Sequence, residues 1–188
     1  KMSEILNWED RGTCVLFGDG AGAAVFSASD QLDQGCLYQS MASDGGKWNL
    51  LYVPMDNDDL PAEGEGAEFN GKLGTVQMNG REIYKFAVTT LMRTLRTSLK
   101  ACDLKPADLA MIIAHQSNAR ILESARDKLG LPEDKVYINI DRYGNTSAAS
   151  VPICLHELRS EGRLREGDIV AFLALGGGLT WTCNLWRM

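Results

Sequence analysis

This 188-residue chain predicts a mixed α/β fold, on three observations. Apolar runs of strand length occur at residues 109–114 and 169–175, without the polar alternation of a half-exposed strand. A segment of helical period precedes them, over residues 80–102. From there strand and helix signals alternate to residue 188, the pattern of a sheet with helices packed on it.

Taken in order, residues 14–17 and 21–26 read as paired strand segments, with Asp19-Gly20 as a tight turn or bulge. Gly18, Gly20 and Gly22 lack the full dinucleotide-binding fingerprint, and no helical pattern follows them, so they do not indicate a nucleotide site. Residues 35–42 read as another strand. Residues 44–74, rich in Gly, Asp, Glu and Asn, form the longest irregular segment. Its acidic run, Asp56 to Asp59 and on to Glu68, reads as solvated.

The period then becomes helical. Ile83, Phe86, Ala87, Leu91, Leu95 and Leu99 share one stripe, backed by Arg81, Lys85, Arg93 and Arg96. Pro106 lies in the connection to the strand at 109–114, which delivers His115 to its end. Ser117 or Asn118 can cap a helix through Leu129, whose Ile121, Leu122, Ala125 and Leu129 share a face. Residues 136–140 are a further short β-rich run. Small residues from Thr146 to Ser150 open a helix over 147–161, in which Pro152 is tolerable near the first turn. His156 has no partner in the sequence and reads as a surface residue. Residues 169–186 are uncharged and long enough to imitate a membrane span, but three glycines, two threonines and an asparagine interrupt them. Two buried strands joined by a glycine turn explain that stretch better, and residues 180–187 alternate as a terminal strand should.

Composition narrows the function. A net charge of −6 provides no basic stripe to neutralise phosphates, so nucleic acid is not an expected partner, and neither is a membrane. Five cysteines are an odd number without metal-ligand spacing. Cys14, Cys154 and Cys183 lie in apolar runs and read as small core residues, while Cys36 and Cys102 have no activating neighbour. That usage suggests a reducing, cytoplasmic setting with no metal or redox cofactor.

Residues past the carboxyl end of a strand in an α/β sheet face the ligand crevice. His115 is so placed, and Asn145 follows the run at 136–140. A neutral imidazole and a carboxamide can both donate to an oxygen on which negative charge develops, and the bare N–H of a glycine in the 176–178 triplet can serve a second such oxygen. That constellation suits carbon–carbon bond formation on thioesters.

The motifs His-Gln-Ser-Asn-Ala-Arg at 115–120, Tyr-Gly-Asn-Thr-Ser-Ala-Ala-Ser-Val-Pro at 143–152 and Gly-Gly-Gly-Leu-Thr-Trp at 176–181 resemble the C-terminal half of β-ketoacyl-acyl carrier protein synthase III. Phe17-Gly-Asp-Gly-Ala-Gly-Ala-Ala24 also looks like that family. The resemblance implies a thiolase-like, five-layered αβαβα fold built of two duplicated halves. On this reading residues 1–77 hold the last strands of the first half and a long loop, and residues 78–188 form the second half. The family's nucleophilic Cys, in an Ala-Cys-(Ala/Ser)-Gly context, has no counterpart here, so the enzyme is expected to be incomplete without an N-terminal half.

The implied reaction takes an acyl group, acetyl first of all, from coenzyme A and condenses it with malonyl on acyl carrier protein as carbon dioxide leaves. It initiates fatty-acid synthesis. The resemblance assigns His115 and Asn145 to the decarboxylated enolate and the N–H of Gly177 to the acyl-thioester oxyanion. It places Asn118 and Gly80 along the pantetheine arm and Arg120 at the tunnel mouth, docking the acidic carrier protein. Arg81 stands where an Asn is common. No cofactor beyond the coenzyme A and phosphopantetheine thioesters is implied, and the working unit is expected to be a homodimer. Two other readings are a specialised condensing relative in secondary metabolism and a non-catalytic acyl-binding partner chain. Half of a duplicated fold should expose the faces it buries against its twin, with the helix stripe 83–99 and the small-residue helix 148–155 as the expected faces.

Overall fold

The computed structural model describes residues 1–31, 33–62 and 71–188. Its principal sheet has four strands: β1 (Gly35–Ser43), β4 (Met111–Ala114), β5 (Ile169–Gly176) and β6 (Thr180–Arg187), in the order β1-β6-β5-β4. β4 runs parallel to β5, and the other two pairs are antiparallel. The parallel pairing requires a crossover, and the chain between β4 and β5 supplies it with α2 (Ala119–Leu129), α3 (Ile140–Tyr143) and α4 (Ser150–Ser160). β2 (Leu51–Tyr52) and β3 (Gln77–Met78) make a separate two-stranded pairing just before α1 (Gly80–Ala101).

Alternation along the strands separates two cores. Ile112, Ala114, Ala171, Leu173, Cys183 and Leu185 pack against Ala87, Leu91, Leu95 and Leu99 of α1 and Ile121 and Leu122 of α2. Met111, Ile113 and Val170 face the other way, onto Cys154 and Leu158 of α4. β4 is therefore covered on both faces, as its unbroken apolar run requires. Each buried leucine of α1 contributes roughly 1.5–3 kcal/mol relative to exposure. This corrects one expectation: the α1 stripe is covered by the chain's own sheet. In the small-residue helix, Ser150, Cys154 and Leu158 are buried, while Ala148 is exposed and Val151, Pro152, Ile153 and Leu155 are only half-buried. The most exposed large apolar residues lie elsewhere, among them Trp8, Val15, Val25, Phe26, Met41 and Met55.

Two strand expectations also fail. Residues 14–17 form turns apart from a single parallel bridge between Phe17 and Asn145, and residues 21–29 carry no regular structure. A strand needs a neighbour for its N–H and C=O groups, and no described segment forms a ladder with 21–26; Val25 is 98% exposed. Residues 136–140 do not form a strand either. Val136 makes one bridge to Ile112, but the side chain of Gln116 then takes the next ladder positions. Its Nε2 donates to the carbonyl of Tyr137 at 3.0 Å, and its Oε1 accepts from the N–H of Asn139 at 2.9 Å. A side chain has replaced the strand, and the chain turns into α3.

The predicted helices hold. Asn118, of the two candidate caps, is the one that starts α2, its Oδ1 accepting from the Arg120 N–H at 3.0 Å. The 147–161 helix divides into a short 3₁₀ turn at Ser147–Ala149 and then α4. The irregular region after β1 contains 3₁₀ turns at Gly45–Leu50 and Asn57–Asp59 and the strand β2; the part of its acidic run at residues 63–70, Glu68 included, lies outside the described residues. All five cysteines are free thiols: Cys154 and Cys183 are buried as expected, Cys14 only partly. His156 is exposed. No helix among the described residues is long and apolar enough to cross a membrane.

Candidate active site

A mostly apolar cavity of about 790 Å³ opens beyond the carboxyl end of β4 and β5. His115, Asn118, Asn145, Gly80 and Gly177 all line it, brought together from four different segments of the chain. Arg120 does not line it; its side chain is exposed in the first turn of α2. Among the described residues that line the cavity there is no cysteine.

His115 leaves β4 with its N–H bonded to the Leu173 carbonyl at 2.7 Å, so the end of the sheet fixes its backbone. Its Nδ1 lies 2.7 Å from Ser150 Oγ. Burial pushes the imidazole down to about 4, although the Ser147 carbonyl opposes the shift, and the ring is neutral at pH 7. The Ser150 hydroxyl has one proton and two acceptors. Directed at the Ser147 carbonyl, 2.8 Å away, it leaves Nδ1 to carry the imidazole proton and Nε2 to present a lone pair. Turned to Nδ1, it makes Nε2 the protonated nitrogen and a donor.

Asn145 is buried and held at three points. Its N–H donates to the Leu16 carbonyl at 2.9 Å, and its carbonyl accepts from the Gly18 N–H at 3.0 Å. Its Oδ1 accepts from the Ser147 N–H at 2.9 Å, which directs the carboxamide's other end, the Nδ2 donors, away from that contact. Ser147 has a positive φ of 54°, a conformation uncommon outside glycine, and it brings that N–H back onto the side chain two residues earlier. The glycines at 18 and 144 allow the strands of backbone to meet: a Cβ on Gly18 would stand 2.0 Å from the Tyr143 carbonyl oxygen, and Gly144 has φ +68°. The Gly-rich segment at 17–24 is thus a close backbone contact for the Asn145 loop.

Asn118 uses its Oδ1 as the α2 cap, so only its amide donors remain for a ligand. Gly177 sits in the β5–β6 turn, where a Cβ would come 3.1 Å from the Leu51 carbonyl oxygen. At Gly80 a Cβ would meet only Met78 Cε at 3.7 Å, an ordinary contact. Sequence reasoning missed Ser150 as the partner of His115 and Gln116 as the brace beneath it. A glutamine two residues past the end of an apolar strand was the available signal for the second; for the first, the 35-residue separation left none.

Two descriptions of one family match this chain. The model for 3-oxoacyl-[acyl-carrier-protein (ACP)] synthase III C terminal covers residues 99–188, and that for 3-oxoacyl-[acyl-carrier-protein (ACP)] synthase III covers residues 1–45. The chain belongs to the β-ketoacyl-acyl carrier protein synthase III family. It is 47% identical over 184 residues to the β-ketoacyl-[acyl-carrier-protein] synthase III of Caldanaerobacter subterraneus subsp. tengcongensis, covering 98% of this chain and 55% of that one. The crystal structure of 3-oxoacyl-[acyl-carrier-protein] synthase III from Aquifex aeolicus superposes with a TM-score of 0.88 at 41% identity, covering 100% of this chain and 55% of that one. The priming β-ketosynthase of a polyketide biosynthetic pathway superposes with a TM-score of 0.84 at 29% identity, over 100% of this chain and 54% of that one. The chain thus spans about half the length of these synthase III relatives, and its fold is thiolase-like as they are.

Proposed function

We propose that the protein carrying this chain catalyses the decarboxylative condensation of an acyl-coenzyme A, acetyl first of all, with malonyl-acyl carrier protein, initiating fatty-acid synthesis. The observation that supports this best is the convergence of a neutral His115 and an oriented Asn145 carboxamide on one apolar cavity. Loss of carbon dioxide from a malonyl thioester leaves an enolate, whose oxygen needs preorganised donors at about 2.7–3.1 Å in a dry site. Asn145 supplies Nδ2–H. His115 supplies Nε2–H when the Ser150 hydroxyl has turned to Nδ1. The enolate carbon then attacks the acyl group, whose oxyanion is assigned to the Gly177 N–H. Asn118 and Gly80 are assigned to the pantetheine arm, and Arg120 to the docking of the carrier protein. The acyl group is carried as a thioester on a nucleophilic Cys that this chain does not provide at the cavity. When the tetrahedral oxyanion collapses, the carbon–sulfur bond breaks and that Cys leaves as thiolate.

A homodimer and a cytoplasmic setting belong to the same proposal; the five free thiols are in keeping with a reducing compartment. Priming of a polyketide is the second reading. It draws on the 29% relative, and the higher identities to β-ketoacyl-[acyl-carrier-protein] synthase III relatives favour the first. The test uses full-length protein with His115→Ala and Asn145→Ala. Acyl transfer from coenzyme A survives, while condensation with malonyl carrier protein falls about 100- to 1,000-fold. Undiminished condensation in both variants overturns the assignment, and a panel of acetyl, branched and aromatic thioesters separates the two readings by product.

A further inference from the structure

We infer that Glu157, which does not line the cavity, is the positioning residue that holds His115 and Asn145 in register through two separate routes, one of hydrogen bonds and one through the backbone that follows α3. The inference rests on the condensation proposed above. Glu157 projects from the third turn of α4 with its side chain only 13% exposed. Four side chains converge on its carboxylate. Asn139 Nδ2 donates to Oε2 at 2.6 Å and Tyr143 Oη to Oε1 at 2.7 Å. Arg142 forms a fork, Nη1 to Oε1 at 2.8 Å and Nη2 to Oε2 at 3.0 Å, and Tyr137 Oη reaches Oε2 at 3.2 Å. A carboxylate offers about four lone-pair sites. Asn139, Tyr143 and the two Arg142 nitrogens account for four contacts, and the Tyr137 hydroxyl, which also lies 3.3 Å from Glu161 Oε1, is a fifth.

The first route runs to the histidine. Asn139, fixed at its side chain by Glu157, donates its backbone N–H to Gln116 Oε1 at 2.9 Å. Gln116 is also tied to the Ala114 carbonyl at 2.9 Å, and its own N–H donates to Ser150 Oγ at 3.2 Å, the hydroxyl that faces His115. The second route runs to the asparagine. Arg142 and Tyr143 are the last residues of α3, and only Gly144, with φ +68°, separates them from Asn145. Pinning both side chains fixes where that glycine releases the chain.

Burial alone would raise the Glu157 carboxyl; the donors from Asn139, Tyr143 and Arg142 outweigh it and hold the group below the usual range. Arg142 is the cation that faces it, Cys154 and Glu161 are the nearby acids, and Tyr137 and Tyr143 are the phenols. Ionised Glu157 accepts from Asn139, Arg142 and Tyr143 together, whereas a neutral amide must turn a donor toward at least one of them.

The test compares wild-type full-length protein with Glu157→Gln and Tyr143→Phe, measuring thermal unfolding, acyl transfer, condensation and the side-chain amide resonances of Asn145. Displacing a reacting group by about 1 Å costs on the order of 100-fold, so Glu157→Gln loses about 10- to 100-fold in condensation kcat. KM for the malonyl thioester and the rate of acyl transfer stay at wild-type values, and the Asn145 amide resonances shift. Tyr143→Phe, which keeps the charge pair, shows a smaller loss in the same step. A folded Glu157→Gln protein with wild-type kcat and unmoved Asn145 resonances overturns the inference. So does an equal loss of acyl transfer and condensation in both variants, since that reports general unfolding. If wild-type protein makes no condensation product, the proposed function falls, and the Asn145 resonances alone then decide the positioning role.

Discussion

Ser150 Oγ stands 2.7 Å from His115 Nδ1 and also receives the Gln116 N–H at 3.2 Å. One hydroxyl at the start of α4 therefore governs which imidazole nitrogen faces the cavity with a proton. That contact crosses from the helix to the end of β4, and it couples the packing of α4 to the chemistry at the sheet edge.

Replacing Ser150 by Ala removes the hydroxyl that can donate to Nδ1, so the contact that favours a proton at Nε2 is lost. Condensation should fall about 10- to 100-fold, short of the loss for deleting an oxyanion donor outright, while acyl transfer is retained. The measurement is the ratio of the two rates, and a ratio equal to wild type contradicts the role given to Ser150.

The depressed His115 carries a signature in stability against pH. Its folded value of about 4 lies below the ordinary value of 6.5, so between these limits the unfolded state binds the additional proton. The sign follows: the native state loses stability as pH falls from about 6.5 toward 4, and the loss levels off below that. Its full size is roughly 3 kcal/mol by the conversion of about 1.4 kcal/mol per pKa unit. Urea unfolding of wild type and His115→Asn over pH 4 to 7.5 measures it. The stability difference between the two should change through this window, and a constant difference shows the ring to be unshifted.

Asn118 caps α2 with its oxygen and faces the cavity with its amide. Two substitutions separate these duties. Asn118→Asp keeps an accepting oxygen at the cap, so the melting temperature holds while KM for the pantetheine-linked substrate rises. Asn118→Ala loses the cap as well, at about 0.5–2 kcal/mol. Equal stability for both variants would show that the cap contributes nothing; equal KM for Asn118→Asp and wild type would remove Asn118 from the arm's path.

Periodicity alone determined much of this protein. The stripe from Ile83 to Leu99, the covered strand at 111–114 and the β5–β6 hairpin follow from patterns within a few residues, because burial on one face repeats with the pitch of the element. The apolar run likewise delivered His115 to the cavity, whereas Asn118 was placed there by the family resemblance, and the strand at 136–140 that was expected to deliver Asn145 does not form. The tertiary structure decided the rest. Residues 136–140 have strand composition, yet the Gln116 side chain takes their ladder positions, and residues 21–26 have strand composition without a described partner. Glu157 and Ser150 carried no signal, because their partners lie up to 35 residues away and the carboxylate and hydroxyl acquire their roles only when α4 packs across β4. Local pattern sets which element forms; a hydrogen bond between distant residues exists only once the elements have been brought together.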